Sequence, residues 1–493
     1  IGSVGITDDK IIYVGKNTRF EADTIIDATA LSVSPGFINM LSWGYSSLME
    51  DGRSLSDLKQ GVTLEVFGEG VSPGPYVRDG ERYSFKEAME ALENSGVSTN
   101  IASFLGATTA RMMEVGFENR PATENEMQKM REMVKQSMEE GAMGIGSSLI
   151  YAPADYAPTE ELIELCKVAS EKGGMYISHM RNEDNLLMEA LEELITISRD
   201  ADIPAEIYHL KASREVNWHM LDSLIKRVEQ VREEGLEITA DIYTYNASST
   251  GLTGVIPTWV QEGGHRAWIN RMKDPKIRPR LLNDIRKQLA EQPPEGILMV
   301  GFNNPEMSKK YLAKTIAEAA STRGQSPEEA IVDMVIEDDS RIQCIYFSMS
   351  EENIRKKIQL PWVSFCSDAG SYSDISKSFR THPRAFGSFI RVLGKYSRDE
   401  ELISLAEAVR KLSGFPAKNL KIKDRGLLKE GYFADVVMFD ANKVDDSATF
   451  DEPLQFSTGV AHVVVNGTPV LLNSKHTNKF TGRYVKGPGY IEQ

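Results

Sequence analysis

Cysteine is scarce in this sequence, which contains only Cys166, Cys344 and Cys366 among its 493 residues. Their odd number and wide spacing exclude a disulfide-stabilised scaffold and a zinc site built from four thiolates. Long apolar runs are missing as well, because the two longest uncharged stretches, residues 28–49 and 242–261, are both rich in Ser, Thr, Tyr, Asn and Gly. Such a segment is too polar for the hydrocarbon core of a bilayer, so we expect no membrane partner.

Clusters of basic residues are also lacking. Lys and Arg number 56 against 72 Asp and Glu, which gives a formal net charge of −16. Proteins that bind the phosphates of nucleic acids carry grouped Lys and Arg, so we expect no nucleic-acid partner. With 41% hydrophobic and 26% charged residues, the chain has the composition of a globular protein rather than a disordered one.

The start of the chain says little about where the protein works. Residue 1 is Ile rather than Met, and it lies in a segment that already resembles a strand, which is compatible with removal of a leader. We favour a cytoplasmic location, and a periplasmic or secreted one stays open. The sequence does not indicate the oligomeric state.

Short alternating apolar segments with turns occupy both ends of the chain, residues 1–33 and residues 421–493. In the second of these, three consecutive valines precede the pair Asn466-Gly467. An Asn-Gly pair between two apolar runs is a strong signal for a β-hairpin. We therefore predict one small β domain assembled from the two termini.

Between the termini, β and α patterns alternate. Thr123 and Glu126, for example, form a capping box in front of a helical run of apolar residues that ends at Gly141. Apolar segments of strand length number eight: 32–41, 61–68, 99–106, 142–149, 174–179, 205–209, 237–245 and 362–367. Eight strands separated by helices predict an α/β fold of the (β/α)8 TIM-barrel type over residues 34–420, with the active site at the C-terminal ends of the strands.

One interval breaks this alternation. Roughly a hundred residues separate the seventh and eighth predicted strands, which is far longer than an ordinary loop. The interval is charged and contains its own helical patterns, for example over residues 327–337. We therefore predict that residues 263–345 form a lid inserted into the barrel.

Side chains that can bind a metal follow several of the predicted strands. Two of the seven histidines, His179 and His209, stand at the ends of adjacent strands, and Glu69 and Asp368 follow two others. Zinc binds imidazole nitrogen and carboxylate oxygen, and a catalytic zinc site keeps a position for water. We predict one divalent metal ion with Glu69, His179 and His209 as ligands, and zinc is the first candidate for this ion. The metal would activate water, and Asp368 would carry a proton to the leaving amine.

Simpler roles are open for two of these residues. Asp368 could cap a loop, and Glu69 could belong to a buried ion pair, since Lys211 lies near it in the predicted fold. The metal is open as well, because imidazole and carboxylate suit several divalent ions.

A second group of side chains suits an anionic substrate. Lys211 lies two residues after His209 and therefore on the same side of that strand, and Tyr243 is on the next strand. His382 and Arg384 follow the eighth strand. Because Arg binds a carboxylate through two parallel hydrogen bonds, we predict that these four residues hold a small-molecule substrate. A structural salt bridge is the alternative for Arg384.

Nine motifs follow one another over nearly the whole chain: SPGFIN, KQGVTLEVFGEG, GAMGIGSSLIYAP, YISHMRNE, HLKAS, DIYTYNASST, CSDAG, HPRAFGSFIRVLGKYSRDE and DRGLLKEGYFADVVMFD. This ordered set resembles the amidohydrolase superfamily and, within it, the D-aminoacylases. The resemblance implies a barrel with a small β-sandwich built from both termini, and a hydrolase that cleaves N-acyl-D-amino acids to a carboxylate and a free D-amino acid. It implies metal ligation by His179 and His209, catalysis by Asp368 and binding of the substrate carboxylate by Lys211, Tyr243 and Arg384.

Two positions depart from the pattern of this family. The first barrel strand normally ends in two histidines one residue apart, and here Leu41 and Trp43 stand in their places. The resemblance therefore implies that a second metal site is absent. The family's bridging cysteine after the second strand falls at Glu69 or Gly70, so we expect Glu69 to replace it as an oxygen ligand.

Two other functions stay open at this point. The chain could hydrolyse another amide, such as a dipeptide, a lactam or a cyclic imide, because a fold does not determine its chemistry. It could also be a degenerate binding protein without catalysis, as the replacement of the histidine pair by Leu41 and Trp43 suggests.

Overall fold

The computed structural model of the protein describes residues 2–17, 21–376 and 379–492. Its strands β1 to β21 are, in chain order, Ser3–Thr7, Lys10–Gly15, Ser32–Pro35, Phe37–Asn39, Val62–Phe67, Tyr76–Arg78, Glu81–Tyr83, Asn100–Ser103, Leu105–Gly106, Gly144–Ser148, Met175–His179, Ala205–Ile207, Ile238–Ile242, Ser248–Gly251, Ile297–Gly301, Gln343–Tyr346, Val363–Phe365, Val436–Phe439, Val460–Val465, Thr468–Leu472 and Lys475–His476.

The helices lie mainly between these strands, as in an α/β fold. Helices α1 to α18 are, in chain order, Tyr45–Glu50, Leu55–Leu58, Phe85–Ser95, Ala107–Glu114, Glu124–Glu139, Thr159–Glu171, Leu187–Asp200, Met220–Glu233, Thr258–Gln261, His265–Lys273, Arg278–Glu291, Pro305–Tyr311, Ile316–Arg323, Pro327–Asp338, Glu351–Gln359, Arg384–Arg391, Leu405–Leu412 and Gly414–Asn419. Within the described ranges, no helix combines the length and the apolar character needed to cross a membrane.

Parallel strands form the centre of the molecule. One sheet has the order β4-β5-β8, and a second has the order β9-β10-β11-β12-β13-β17. Strands β8 and β9 are separated by the single residue Phe104, so the chain passes directly from one sheet to the other. On the far side, the Met40 amide donates to the Phe365 carbonyl at 3.3 Å, and Ser42 forms a parallel bridge with Ala369. The C-terminal ends of all these strands therefore lie at one edge.

The first predicted strand, 32–41, is two strands in the structure. β3 pairs with β18 in an antiparallel sheet, and β4 pairs with β5 in the parallel one. Gly36 lies between them, where a Cβ atom would come within 2.0 Å of the Thr63 hydroxyl. The continuous apolar pattern does not show this change of sheet, because both strands bury apolar residues.

Helix α5 confirms the predicted capping box. Thr123 accepts a hydrogen bond from the Glu126 amide, and the Glu126 carboxylate accepts one from the Thr123 amide at 2.7 Å. The apolar face of this helix packs into the main core through five buried residues, Met127, Met130, Met133, Val134 and Met138. The methionines are therefore core residues here.

A five-stranded antiparallel sheet joins the two ends of the chain. Its order is β21-β20-β19-β18-β3, so one strand comes from the N-terminal part and four from the C-terminal part. The predicted hairpin is confirmed between β19 and β20, where Asn466 and Gly467 have φ values of 48° and 79°. Positive φ at both positions is typical of a type I′ turn.

The long interval between β13 and β17 has a core of its own. It contains β14, β15 and β16, paired as an antiparallel sheet in the order β14-β16-β15, together with α9 to α15. Its separate apolar cluster includes Leu252, Trp268, Leu281, Ile331 and Val335. This interval is therefore folded structure rather than a long loop.

A buried pair of acids lies beside β4. Glu65 on β5 accepts hydrogen bonds from the Ser42 hydroxyl at 2.7 Å and from the Thr99 hydroxyl at 2.9 Å, and no part of it is exposed. Burial and the nearby Asp57 raise the pKa of Glu65 to about 8. Glu65 therefore holds its proton more strongly in the folded protein than in the unfolded chain.

This raised pKa predicts a pH dependence of stability. Between the ordinary pKa of Glu, about 4.3, and that of the buried group, the folded state binds more protons than the unfolded state, so stability falls as pH rises. Glu65→Gln should remove part of this fall, because Gln is neutral at every pH. The midpoint of thermal unfolding, followed from pH 5 to pH 8, should therefore decrease less in Glu65→Gln than in the wild type.

Glu50→Gln, an exposed control on α1, should follow the wild type. Parallel curves for wild type and Glu65→Gln would contradict this assignment.

Candidate metal centre and active site

The predicted metal ligands lie at the C-terminal ends of three parallel strands. His179 is the last residue of β11, His209 follows β12 by two residues, and Glu69 follows β5 by two residues. Strands β11 and β12 are direct neighbours, while β5 belongs to the other parallel sheet. All three side chains are at least 94% buried, since their exposed fractions are 4% for Glu69, 6% for His179 and 2% for His209.

One carboxylate oxygen joins the two histidines. Glu69 Oε1 lies 2.8 Å from His179 Nδ1 and 3.0 Å from His209 Nε2. One ligand atom from each of the three residues falls within 4.8 Å of the others, which identifies them as a group that could hold a metal ion in the described part of the chain. Two imidazole nitrogens and one carboxylate oxygen are a donor set that zinc accepts.

The charges of the site favour a cation at this position. Burial would raise the pKa of Glu69, but hydrogen bonds from both histidines outweigh it and hold this pKa well below its usual range. Burial and Lys211 lower the pKa of His209, yet the carboxylates of Glu183 and Glu69 outweigh them and raise it to about 10. The site therefore stabilises positive charge between these side chains, which is what a metal cation would supply.

The backbone at His209 is held in an uncommon conformation. Its φ is +34°, in the region that residues other than glycine rarely occupy. The His209 amide donates to Asp241 Oδ1 at 2.7 Å, and Asp241 is a fully buried residue of β13. Asp241 thereby fixes the turn that directs the His209 ring towards Glu69. Such strain concentrates at functional sites when the surrounding structure maintains it.

Asp368 lies at the same edge, three residues after β17, and its φ is +49°. The Trp43 indole Nε1 donates to Asp368 Oδ1 at 3.1 Å, and Arg384 Nη1 lies 2.7 Å from Oδ2. Burial raises the pKa of Asp368, although Arg384 acts in the opposite direction. A buried carboxylate with a raised pKa is suited to accept and release a proton.

The residues predicted to bind an anion surround the same space. Tyr243 directly follows β13, and the Arg384 guanidinium lies 4.5 Å from the centre of its ring. Lys211 Nζ lies 2.6 Å from Glu183 Oε1. His382 Nε2 donates to the Ala247 carbonyl at 2.9 Å, and its Nδ1 accepts from the Arg384 amide at 3.0 Å. Both nitrogens of His382 are therefore used inside the protein.

A cavity of about 840 Å³ brings the predicted residues together. All eight residues predicted from the sequence line it: Glu69, His179, His209, Lys211, Tyr243, Asp368, His382 and Arg384. A cavity of this size can contain a small organic molecule.

Sequence reasoning missed two contacts in this cavity. Glu183 received no role from the sequence, although its position four residues after His179 is a usable signal. Trp43 was considered only because it replaces a histidine of the family pattern. No pattern in the sequence indicates that its indole reaches Asp368, which is 325 residues away.

Comparisons with known proteins agree with this geometry. A model of the amidohydrolase family matches residues 98–471, about three quarters of the chain. The chain also shares 30% identity with a D-aminoacylase of Alcaligenes xylosoxydans xylosoxydans, over 97% of this chain and 92% of that protein. The chain belongs to the amidohydrolase family, in its D-aminoacylase group. The resemblance found in the sequence is thereby confirmed.

Two solved structures extend the comparison of this amidohydrolase to its fold. One is a D-aminoacylase with a binuclear metal centre, for which one-metal activation and second-metal attenuation are described. It is 29% identical to this chain, with a TM-score of 0.83 over 99% of this chain and 96% of that one. The N-acyl-D-glutamate deacylase of Bordetella bronchiseptica, solved with zinc and a phosphonate mimic of the tetrahedral intermediate, is 27% identical, with a TM-score of 0.82 over 99% and 95%. The mixed α/β fold of this amidohydrolase is therefore that of the D-aminoacylases.

The two departures in this amidohydrolase have structural consequences. Leu41 is fully buried in an apolar cluster, and its carbonyl accepts a hydrogen bond from the Asp368 amide at 2.9 Å. Trp43 is 46% exposed and covers one oxygen of Asp368. Neither residue offers an atom that binds a metal.

The shared carboxylate predicts the effect of one substitution. Glu69→Gln removes the negative charge that both histidines contact, so zinc affinity should fall by more than the roughly 10- to 100-fold that loss of an outer contact costs. Competition with a chromophoric chelator measures this affinity. Glu140→Gln is the matched control, because Glu140 is also a buried glutamate, yet its carboxylate accepts from the Lys86 amide and the Gln136 side chain rather than from a histidine. Equal zinc affinity in Glu69→Gln and the wild type would exclude Glu69 as a ligand.

Proposed function

We propose that this protein is a metal-dependent hydrolase that cleaves the amide bond of N-acyl-D-amino acids to a carboxylate and a free D-amino acid. The observation that carries this function is the arrangement of Glu69, His179 and His209 in one cavity with Asp368 and Arg384. The similarity to D-aminoacylase over nearly the whole chain supports the choice of substrate class.

We propose that Glu69, His179 and His209 hold one divalent ion, and that the ion is zinc. When bound, zinc polarises the amide carbonyl and lowers the pKa of water. The donor set fits zinc, and the Bordetella bronchiseptica relative was solved with zinc. A single ion agrees with Leu41 and Trp43, which occupy the positions where the family pattern has two histidines.

Asp368 is the group that moves the proton in this proposal. Its carboxylate accepts a proton from the attacking water and delivers it to the nitrogen of the leaving amine. Trp43 and Arg384 contact one oxygen each and keep the carboxylate oriented. Because a carboxylate offers about four lone-pair positions, these contacts leave room for the proton.

Arg384 is the principal anchor for the substrate carboxylate. It is 96% buried, since its exposed fraction is 4%, and its Nε has no hydrogen-bond partner among the described residues. Arg384 lines the cavity, and a guanidinium binds a carboxylate through parallel N–H groups, so this side chain can bind an anion. Tyr243 can assist, because its hydroxyl now donates to Met349 Sδ at 3.3 Å, and a thioether is a weak acceptor.

Lys211 and His382 support this anchor in different ways. Lys211 adds positive charge to the cavity, although its ammonium is already paired with Glu183. His382 accepts a hydrogen bond from the amide of Arg384, at the first residue of α16. We therefore assign His382 to positioning Arg384 rather than to direct hydrogen bonding with substrate.

The architecture around the cavity follows the same proposal. The parallel strands close into one (β/α)8 barrel within residues 34–420, which the hydrogen bonds between the ends of β4 and β17 support. Residues 1–33 and 421–493 form the β-sandwich that contains the five-stranded antiparallel sheet. Residues 263–345 act as a lid, since Arg341 and Gln343 from this segment line the cavity.

A substrate panel tests the function. Zinc-loaded protein should release a free amino acid from N-acetyl-D-methionine and related N-acyl-D-amino acids, and should leave the L-enantiomers, dipeptides, lactams and cyclic imides unchanged. Turnover of an L-substrate or a cyclic imide in preference to every D-substrate would overturn the substrate class. Binding of the D-substrates without turnover would indicate a non-catalytic protein.

The same panel includes a variant that separates catalysis from metal binding. Asp368→Asn should reduce kcat on the D-substrates by about 10²- to 10⁴-fold, because the proton transfer is lost, and should retain the metal content of the wild type. Asp155→Asn is the control, since Asp155 lines the same cavity but lies 3.9 Å from Arg181. Wild-type turnover by Asp368→Asn would refute the proton-transfer role.

A further inference from the structure

Glu183 lies on the outer side of the two histidines. Its carboxylate is buried, with an exposed fraction of 7% for the residue, and it follows β11 by four residues. Glu183 Oε1 lies 3.2 Å from His209 Nδ1, and Oε2 lies 3.4 Å from His179 Nε2. One carboxylate therefore faces both rings, with one oxygen towards each.

These contacts involve the nitrogens that do not face Glu69. His179 turns Nδ1 towards Glu69 and Nε2 towards Glu183, while His209 turns Nε2 towards Glu69 and Nδ1 towards Glu183. The two rings thus lie between two carboxylates. Glu69 contacts the inner nitrogens, and Glu183 contacts the outer ones.

A metal on the inner nitrogens imposes a requirement on the outer ones. A neutral imidazole that gives one nitrogen to a metal carries its hydrogen on the other nitrogen. In metalloproteins this N–H donates to a carboxylate, a carbonyl or water, and the contact determines both the tautomer and the ring orientation. His179 Nε2 is buried and has no hydrogen-bond partner among the described residues, so it needs such an acceptor.

Other groups near the rings cannot take this role. Lys211 Nζ lies 2.6 Å from His209 Nδ1, but an ammonium group has donors and no acceptor. Once His209 Nδ1 carries a hydrogen, this ammonium must therefore turn to Glu183 Oε1, which it already contacts at 2.6 Å. Tyr151 contacts the His179 ring by its edge, with ring centres 5.2 Å apart. Among the described carboxylates, only those of Glu69 and Glu183 lie within 4.0 Å of a ring nitrogen of His179 or His209. Glu69 already contacts the inner nitrogen of each ring, which leaves Glu183 for the outer ones.

We propose that Glu183 is a positioning residue of the metal centre, which accepts the outer N–H groups of both His179 and His209. A single carboxylate thereby selects the tautomer of two ligands, and its ion pair with Lys211 at 2.6 Å compensates its buried charge. This inference rests on the proposed metal-binding role of His179 and His209. It gives Glu183 an effect on metal affinity that a simple counter-ion of Lys211 would not have.

The substitution Glu183→Gln tests the inference. Glutamine has one acceptor oxygen and one donor NH₂ group, so it cannot accept hydrogen bonds from both rings. Zinc affinity, measured by competition with a chromophoric chelator, should fall about 10- to 100-fold, and excess zinc should restore occupancy. Glu183→Asp, which keeps the carboxylate, should retain more affinity than Glu183→Gln.

A neighbouring acid provides the matched control. Asp184 is the next residue in the chain, and its carboxylate lies 3.2 Å from Arg214. Asp184→Asn should bind zinc with wild-type affinity. Thermal unfolding of the metal-free proteins shows which variants fold, and Glu183→Ala, which also removes the carboxylate, gives the same comparison if Glu183→Gln does not fold.

The possible results separate this inference from the proposed function. Wild-type zinc affinity in Glu183→Gln, with or without a higher KM for the substrate, would overturn the inference, because Glu183 would then serve Lys211 alone. The proposed function would survive that result. A wild-type protein that binds no zinc would overturn both.

Discussion

The contact of one carboxylate oxygen with two imidazole rings is the interaction on which this site depends. Glu69 Oε1 reaches His179 and His209 at 2.8 and 3.0 Å only because three parallel strands end at the same edge. The positive φ of His209 and the hydrogen bond from its amide to Asp241 are local requirements of that arrangement. Burial makes it stronger, since charges attract one another more when water is excluded.

The charged groups of the cavity are arranged as pairs. Lys211 contacts Glu183, and Arg384 contacts Asp368, so the cations expected to bind a substrate anion also compensate buried carboxylates. Unpaired buried charges are costly, which explains why an acidic protein places its functional cations beside acids. An incoming carboxylate would therefore meet an Arg384 that already compensates Asp368, rather than an isolated positive charge.

Much of the fold was predictable because its signals are local. The capping box at Thr123, the hairpin at Asn466 and the strand that ends in His179 each depend on a few consecutive residues. Polar residues after the strands indicated eight of the residues that line the cavity. The break of the first strand at Gly36 was not predictable, because the approach of Thr63 comes from another strand.

Contacts between distant segments account for the rest of what the sequence did not show. The hydrogen bond from Trp43 to Asp368 joins residues 325 positions apart, and nothing near either residue indicates it. The sequence gives a weak signal for Glu183, which lies four residues after His179. Only the structure shows that its carboxylate faces both histidine rings. The sequence thus indicated residues that the structure brings together in one cavity, and the structure added how they are paired.

X-ray absorption at the zinc edge tests most directly the claim that Glu69, His179 and His209 hold a single ion. For zinc-loaded protein, the account predicts nitrogen and oxygen neighbours at about 2.0–2.2 Å, with no sulfur at about 2.3 Å. It also predicts no second metal at about 3.5–4 Å. Scattering from sulfur or from a second zinc, or a first shell unchanged in Glu69→Gln, would contradict it.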